Sequence, residues 1–178
     1  MYERDKHGSR SVLQWSMMRV ELDLSSILSD RLPRYGHRNW IVVADAAYPS
    51  QCGAGIETVV CGGELIDRLG DVLRAIGESG HLKPVVYTDR ELGSVAESVA
   101  GGVDSFRSSL AKLVVGFECH ALLHDQIIAR LDEAARQFHV LILKTATKIP
   151  YTSVFLNLDC AYWSPEAEER LRQNLADQ

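Results

Sequence analysis

The apolar residues of the chain fall into two kinds of segment. Several short segments rich in apolar residues are predicted to be strands, and WIVVADAAY is a continuous apolar run with β-branched residues, as is typical of a strand buried on both faces of a sheet. These predicted strands are WIVVADAAY (40–48), IETVVCGG (56–63), KPVVYT (83–88), KLVVGFE (112–118), VLILKT (140–145) and SVFLNLDCAYW (153–163).

Other segments have apolar residues at helical spacing and are predicted to be amphipathic helices. The clearest are residues 64–80 and 124–138, and weaker patterns cover residues 21–35 and 91–102. A charged C-terminal helix is predicted from Ser164, which suits the N-cap position, with a proline directly after it.

The alternation of helices and apolar strands predicts the α/β class, with one three-layer α/β/α domain around a mostly parallel, mixed sheet. The length of 178 residues fits a single domain. We expect residues 19–163 to form this domain. Residues 1–18 are predicted to be a flexible N-terminal arm, and residues 164–178 a C-terminal helical extension.

Composition narrows the class of partner. The chain is 46% hydrophobic and 24% charged, with a formal net charge of -5. Scattered basic residues on an acidic chain argue against nucleic-acid binding.

No apolar run approaches the roughly 20 residues of a membrane span, so no membrane partner is expected. The N-terminus lacks the apolar core of a signal peptide, which predicts a cytoplasmic protein with reduced cysteines.

A histidine and an aspartate bracket the first predicted strand. His37 precedes Ile41–Ala44 and Asp45 follows it. In open α/β sheets, binding sites gather at strand ends. An imidazole moves protons near neutral pH, and a carboxylate holds a hydroxyl or orients a base. Each residue alone is commonly a surface group or a turn cap, whereas the pair around one strand suggests a site.

Two further histidines, His120 and His124, have the i, i+4 spacing of one helical face. Such a pair binds zinc in the HExxH motif, but Ala121 occupies the position of the glutamate, so no metal is expected. We expect instead that one of the two histidines contributes to a polar pocket at the start of a helix. The chain contains no GxGxxG, P-loop or GxSxG motif.

Tyr151 opens the last apolar strand, directly after a proline. Its hydroxyl either faces a cleft, where it would bind a sugar-like ligand, or lies at the surface while the ring packs against the protein. The pattern of residues alone leaves both alternatives open.

Four motifs in this order resemble the D-ribose pyranase and L-fucose mutarotase family: YGHRN, IVVADAAYP, HDQI and IPYTSVFL, within residues 20–162. The resemblance implies the fold of that family. It also implies a cofactor-independent isomerase that interconverts ring forms or anomers of a monosaccharide by general acid–base catalysis. Finally, it implies a homo-oligomer, commonly a decameric ring, with pockets near subunit contacts.

The resemblance also assigns roles to residues. His37 would transfer protons, Asp45 would hold sugar hydroxyls, and Tyr151 would bond near the anomeric centre. Ser153 and either His120 or His124 would complete the wall; the HDQI motif favours His124, and proximity to KLVVGFE favours His120.

Two positions depart from the family pattern. Asn39 stands where the family often has an acid, and Ser153 stands where the ribose enzymes have asparagine. Two alternatives to the isomerase therefore stay open. One is a non-catalytic sugar-binding protein on the same fold. The other is a metal-dependent hydrolase that uses His120, His124 and an acid.

Overall fold

A computed structural model describes residues 23–176 as six strands and five α-helices. The strands are β1 (Trp40–Ala44), β2 (Ile56–Val60), β3 (Leu82–Asp89), β4 (Glu118–Leu122), β5 (Val140–Lys144) and β6 (Val154–Cys160). The helices are α1 (Leu24–Arg31), α2 (Leu65–Ser79), α3 (Val103–Leu113), α4 (His124–Ala134) and α5 (Pro165–Ala176). The predicted N-terminal arm, residues 1–18, lies outside the described residues.

The strands form one mixed sheet in the order β2-β5-β1-β6-β3-β4. Strand β1 pairs with β5 in parallel and with β6 in antiparallel orientation, and β3 also pairs antiparallel with β6. Five strands therefore run in one direction, and β6 alone among the described strands runs against them. This arrangement confirms the predicted mostly parallel sheet.

Two apolar cores, one on each face of the sheet, make the domain three-layered. The side chains of β1 alternate between them, and all five of its residues are buried. Ile41 and Val43 belong to the core beneath α1, α2 and α3, whereas Trp40, Val42 and Ala44 belong to the core beneath α4. Burial on both faces explains why β1 is a continuous apolar run.

The predicted helices 64–80 and 124–138 are confirmed as α2 and α4, and local chemistry explains one end each of α2 and α5. Helix α2 buries Leu65, Leu69 and Ile76 on one face and ends at Gly80, whose φ of 70° favours glycine. Helix α5 begins where predicted, with the Ala167 amide donating to the Ser164 hydroxyl at 3.1 Å. No helix within residues 23–176 is long and apolar enough to cross a membrane.

Between residues 91 and 122 the sequence interpretation is wrong. The predicted helix 91–102 is a short 3₁₀ helix, Arg90–Ser94, followed by turns, and the predicted strand 112–118 is largely the end of α3 and a turn. Gly102, the last residue of the predicted helix 91–102, instead lies at the N-cap of α3 with a φ of 91°. Strand β4 carries no apolar alternation because it is an exposed edge strand.

Candidate functional site

Polar side chains converge where the parallel strands end. Because β6 runs against β1 and β3, its first residues meet the last residues of those two strands at one edge of the sheet. Val154 pairs with Val43 on one side and with Thr88 on the other. The neighbouring residues at this edge are Asp45, Asp89 and Ser153. We call this edge, together with His124 and Tyr151, the C-terminal edge.

Asp45 and Ser153 form a tight local pair at the C-terminal edge. The Ser153 hydroxyl donates to Asp45 Oδ2 at 2.8 Å and accepts from the Asp45 amide at 3.1 Å. The Ala47 amide donates to Asp45 Oδ1 at 2.8 Å. Ser153 is buried and Asp45 is half-buried. A carboxylate oxygen has two lone pairs and can accept two hydrogen bonds, so each Asp45 oxygen can still accept one from a ligand hydroxyl.

Asp89, the last residue of β3, forms a buried pair with His124. Its side chain is 1% exposed, and its Oδ1 lies 3.1 Å from His124 Nδ1. Its Oδ2 is buried without a hydrogen-bond partner among the described residues. Burial raises the pKa of the Asp89 carboxyl to about 6, although His124 opposes the rise. The Glu91 and Asp45 carboxylates add to this increase in pKa.

The position of His124 is fixed by its backbone as well as its ring. It is the first residue of α4, and its amide donates to the Glu91 carboxylate at 3.1 and 3.2 Å. The ring meets the Tyr151 ring edge-on, with centroids 6.0 Å apart. The side chain is 33% exposed, and within residues 23–176 the Nε2 atom has no hydrogen-bond partner. His124 is therefore anchored at one ring nitrogen and free at the other.

Tyr151 forms a wall of an open cleft beside His124. The cleft has a volume of about 340 Å³, and its lining includes Arg90, Glu91, Leu123 and Tyr151. Tyr151 is 42% exposed and has a φ of 58°, which is unusual for a residue with a side chain. Such backbone strain costs about 1–3 kcal/mol and clusters at functional sites, which motivates a ligand-binding role for this residue.

Sequence reasoning missed Asp89, Glu91 and Tyr48. Tyr48 is buried, and its hydroxyl lacks a hydrogen-bond partner among the described residues. Burial raises the pKa of this phenol, with contributions from the Asp89, Asp132 and Asp45 carboxylates. One signal could have revealed Asp89: it follows the apolar run of β3 just as Asp45 follows that of β1.

His37 and Asp45 lie at opposite edges of the sheet. His37 is exposed in the turn before β1, next to Arg38 with a φ of 73°, whereas Asp45 follows the end of β1. A strand of five residues spans roughly 17 Å. The two residues therefore cannot contact one ligand within a single chain. A shared pocket requires a second copy and stays a prediction.

His120 lies apart from the C-terminal edge, on strand β4. Its ring stacks on Tyr87 with centroids 5.1 Å apart, and its Nε2 lies 2.8 Å from Glu118 Oε1. His120 and His124 belong to a strand and the following helix, so the expectation that they share a helical face is wrong. Residues 23–176 contain no group of three potential metal ligands, which leaves the hydrolase alternative without a ligand set there.

A larger cavity than the cleft at Tyr151 lies elsewhere. It has about 750 Å³ between α1 and α2, and its lining includes Leu28, Arg68, Asp71 and His81. It contains none of the site residues predicted from the sequence. We therefore locate the candidate site by its chemistry and not by cavity size.

Comparison with known proteins connects this geometry to a fold. No family model matches the chain, and no curated protein sequence matches it. RbsD of Bacillus subtilis, solved in complex with D-ribose, has a TM-score of 0.52 and 21% identity, covering 75% of this chain and 92% of RbsD.

Two other solved structures are similar to the same degree. The fucose mutarotase of Streptococcus pneumoniae, solved with L-fucose, has a TM-score of 0.52 and 18% identity, covering 80% of this chain and 97% of that protein. FucU of Bifidobacterium longum has a TM-score of 0.51 and 17% identity, covering 76% and 95%. The chain therefore has the fold of these proteins, as the sequence motifs predict.

Proposed function

We propose that the chain is a divergent member of the D-ribose pyranase and L-fucose mutarotase family. In this proposal it binds a monosaccharide at the C-terminal edge and interconverts its ring forms or anomers without a cofactor. The observation that carries the proposal is the buried Asp89–His124 pair, next to Tyr151 and on the same sheet edge as Asp45. The fold shared with sugar-bound proteins supports the choice of ligand.

The reaction needs one base and one acid in fixed positions. The base removes the proton of the anomeric hydroxyl, a carbonyl forms, and the bond from the anomeric carbon to the ring oxygen breaks. The electron pair stays on the ring oxygen, which takes a proton from the acid. Reclosure reverses these steps on either face of the carbonyl. No electrons leave the sugar, so side chains that transfer protons are sufficient.

Each residue of the C-terminal edge has a proposed task. His124 transfers a proton, because one of its ring nitrogens is unpartnered within the described residues. Asp45, held by Ser153, accepts hydrogen bonds from sugar hydroxyls. Tyr151 contributes its hydroxyl from the wall of the cleft. We propose His124 and not His120 as the pocket histidine, since His120 interacts with Tyr87 and Glu118 instead.

We propose that His37 acts from a neighbouring copy in a homo-oligomer, for which the family resemblance suggests a decameric ring. A second copy is required because His37 and Asp45 lie at opposite ends of β1. Light scattering at micromolar concentration tests this assembly, and a monomer would contradict it.

Exchange NMR on free sugars tests the function. We expect the protein to accelerate anomer exchange of at least one sugar in a screen of ribose, fucose, galactose and related monosaccharides. His37→Ala should remove this acceleration with the fold intact, because an exposed loop imidazole contributes little packing. Sugar binding without accelerated exchange would instead identify a non-catalytic sugar-binding protein. Neither binding nor exchange would contradict the proposal.

A further inference from the structure

Asp89 is buried in a way that packing alone does not explain. It is the one carboxylate among the buried polar residues of the described chain. One oxygen contacts the His124 ring, and the other has no hydrogen-bond partner within residues 23–176. A buried carboxylate with incomplete pairing destabilises a fold. Its presence at the end of β3 therefore suggests a role in the chemistry of the neighbouring histidine.

We propose that Asp89 is a positioning residue that keeps the neutral His124 ring protonated on Nδ1, so that Nε2 presents its lone pair as the base for the anomeric hydroxyl. The catalytic part of this inference rests on the proposed function. The protonation pattern of the ring does not, because it is a property of the free protein.

The preference for Nδ1 follows from donor and acceptor inventory. An ionised carboxylate only accepts hydrogen bonds, so the nitrogen facing Asp89 Oδ1 at 3.1 Å must carry the proton. In a neutral imidazole the other nitrogen, Nε2, is then the acceptor. In such a buried pair the carboxylate thereby sets the tautomer of the imidazole, as in the triad of serine proteases.

Asp89 acts through His124 because it cannot reach a ligand itself. Its side chain is 1% exposed, whereas that of His124 is 33% exposed. Several other ionisable groups lie near the Asp89–His124 pair. The Glu91 and Asp45 carboxylates raise the pKa of Asp89, Tyr48 is a buried phenol, and Arg90 lines the cleft. With its pKa at about 6, Asp89 is mostly ionised at pH 8, where the tautomer is defined.

A first experiment measures the tautomer directly. Long-range ¹H–¹⁵N correlation on the full chain, labelled at histidine and studied at pH 8 without sugar, reports which ring nitrogen carries the proton. The signals of His124 are those lost in His124→Gln. We expect Nδ1 to be protonated in the wild type, and Asp89→Asn to shift the population toward protonation on Nε2, since an amide can donate to Nδ1.

A matched control uses the second histidine–carboxylate pair. Glu118→Gln alters the partner of His120 at 2.8 Å and should leave the His124 signals unchanged. Protonation of His124 on Nε2 in the wild type would overturn the proposal, as would identical tautomer populations in Asp89→Asn. If Asp89→Asn fails to fold, the wild-type tautomer alone decides.

A second experiment measures exchange kinetics on the best sugar of the screen. Asp89→Asn should lower kcat about 100-fold, the scale of lost acid–base catalysis, with KM nearly unchanged. A raised KM with an unchanged kcat would place Asp89 in binding and overturn its positioning role. If the wild type has the expected tautomer but exchanges no sugar, the proposed function fails while the Asp89–His124 arrangement is supported.

Discussion

Residues 23–176 contain two histidine–carboxylate pairs, one at the C-terminal edge and one on the outer strand β4. The exposed pair is the shorter: His120 Nε2 lies 2.8 Å from Glu118, whereas His124 Nδ1 lies 3.1 Å from Asp89. The exposed side chains of His120 and Glu118 are 43% and 66% accessible, against 33% and 1% for His124 and Asp89. Distance therefore does not distinguish the two pairs, and burial does.

Burial changes the chemistry of such a pair. Water competes for both members of the exposed pair, and exposed ion pairs typically contribute about 0–1 kcal/mol. In a low-dielectric environment the same contact couples the protonation of the two groups strongly. Burial raises the pKa of the Asp89 carboxyl to about 6. We infer that only the buried pair is suited to moving protons.

Substitution of the two histidines should separate the pairs most clearly. His124→Gln should lower sugar exchange by about 100-fold or more, because it removes the proposed base. His120→Gln should leave exchange near the wild-type rate, since His120 contacts Tyr87 and Glu118 outside the C-terminal edge. Exchange NMR on both variants under identical conditions measures this difference. Equal losses, or a larger loss in His120→Gln, would contradict the assignment.

The two carboxylates should differ in their effect on stability against pH. The pKa of Asp89 is raised from 3.8 to about 6, so the folded chain binds this proton more readily than the unfolded chain. Its contribution therefore favours folding as pH falls from about 6 to 4 and is lost as pH rises through 6. At pH 7 the cost is on the order of 3 kcal/mol.

Asp89→Asn should consequently raise the free energy of unfolding at pH 7 and remove this pH dependence. Glu118→Gln, at an exposed position, should change stability by less than about 0.5 kcal/mol. Urea unfolding of both variants at pH 4.5 and pH 7 provides the measurement. A less stable Asp89→Asn protein at pH 7 would show that the carboxylate contributes to folding and would remove the argument for a functional cost.

The buried pair also shows what the sequence could not predict. The continuous apolar run of β1 predicts that this strand is buried on both faces. A central strand, with Asp45 at its end, can therefore be predicted from the local sequence. Asp89 likewise follows an apolar run, but its nearness to the start of β6 depends on the register of β3 against β6, which pairs Thr88 with Val154. The register between strands far apart in the chain is set by how their apolar faces pack in the folded domain, so neither strand alone reveals it.

The errors near β4 have the same physical origin. The first four residues of the edge strand Glu118–Leu122 are exposed, so the strand has no apolar alternation that periodicity could detect. The spacing of His120 and His124 then resembled one helical turn, although a strand ends and a helix begins between them. His37 and Asp45 both flank β1 in the sequence, but the length of the strand places them at opposite edges of the sheet.

His120 and His124 each contact a tyrosine ring, and substitution of these two tyrosines should have a smaller effect on sugar exchange. Tyr151 meets His124 with ring centroids 6.0 Å apart, and Tyr87 stacks on His120 at 5.1 Å. Tyr151→Phe should lower exchange or binding about 2- to 13-fold, the value of one hydrogen bond to a neutral partner. Tyr87→Phe should leave exchange unchanged. Exchange kinetics and melting temperatures are measured for both variants. A lower melting temperature with normal exchange in Tyr151→Phe would show that the Tyr151 hydroxyl has a structural role and does not contact the sugar.

The central claim is that the C-terminal edge, and not the outer strand, receives the sugar. Titration of D-ribose, L-fucose and D-galactose into histidine-labelled protein, followed by NMR of the imidazole signals, tests it most directly. We predict that the binding sugar shifts the His124 signals in a saturable manner and leaves those of His120 unchanged. Saturable shifts at His120 with an unperturbed His124 would contradict the claim.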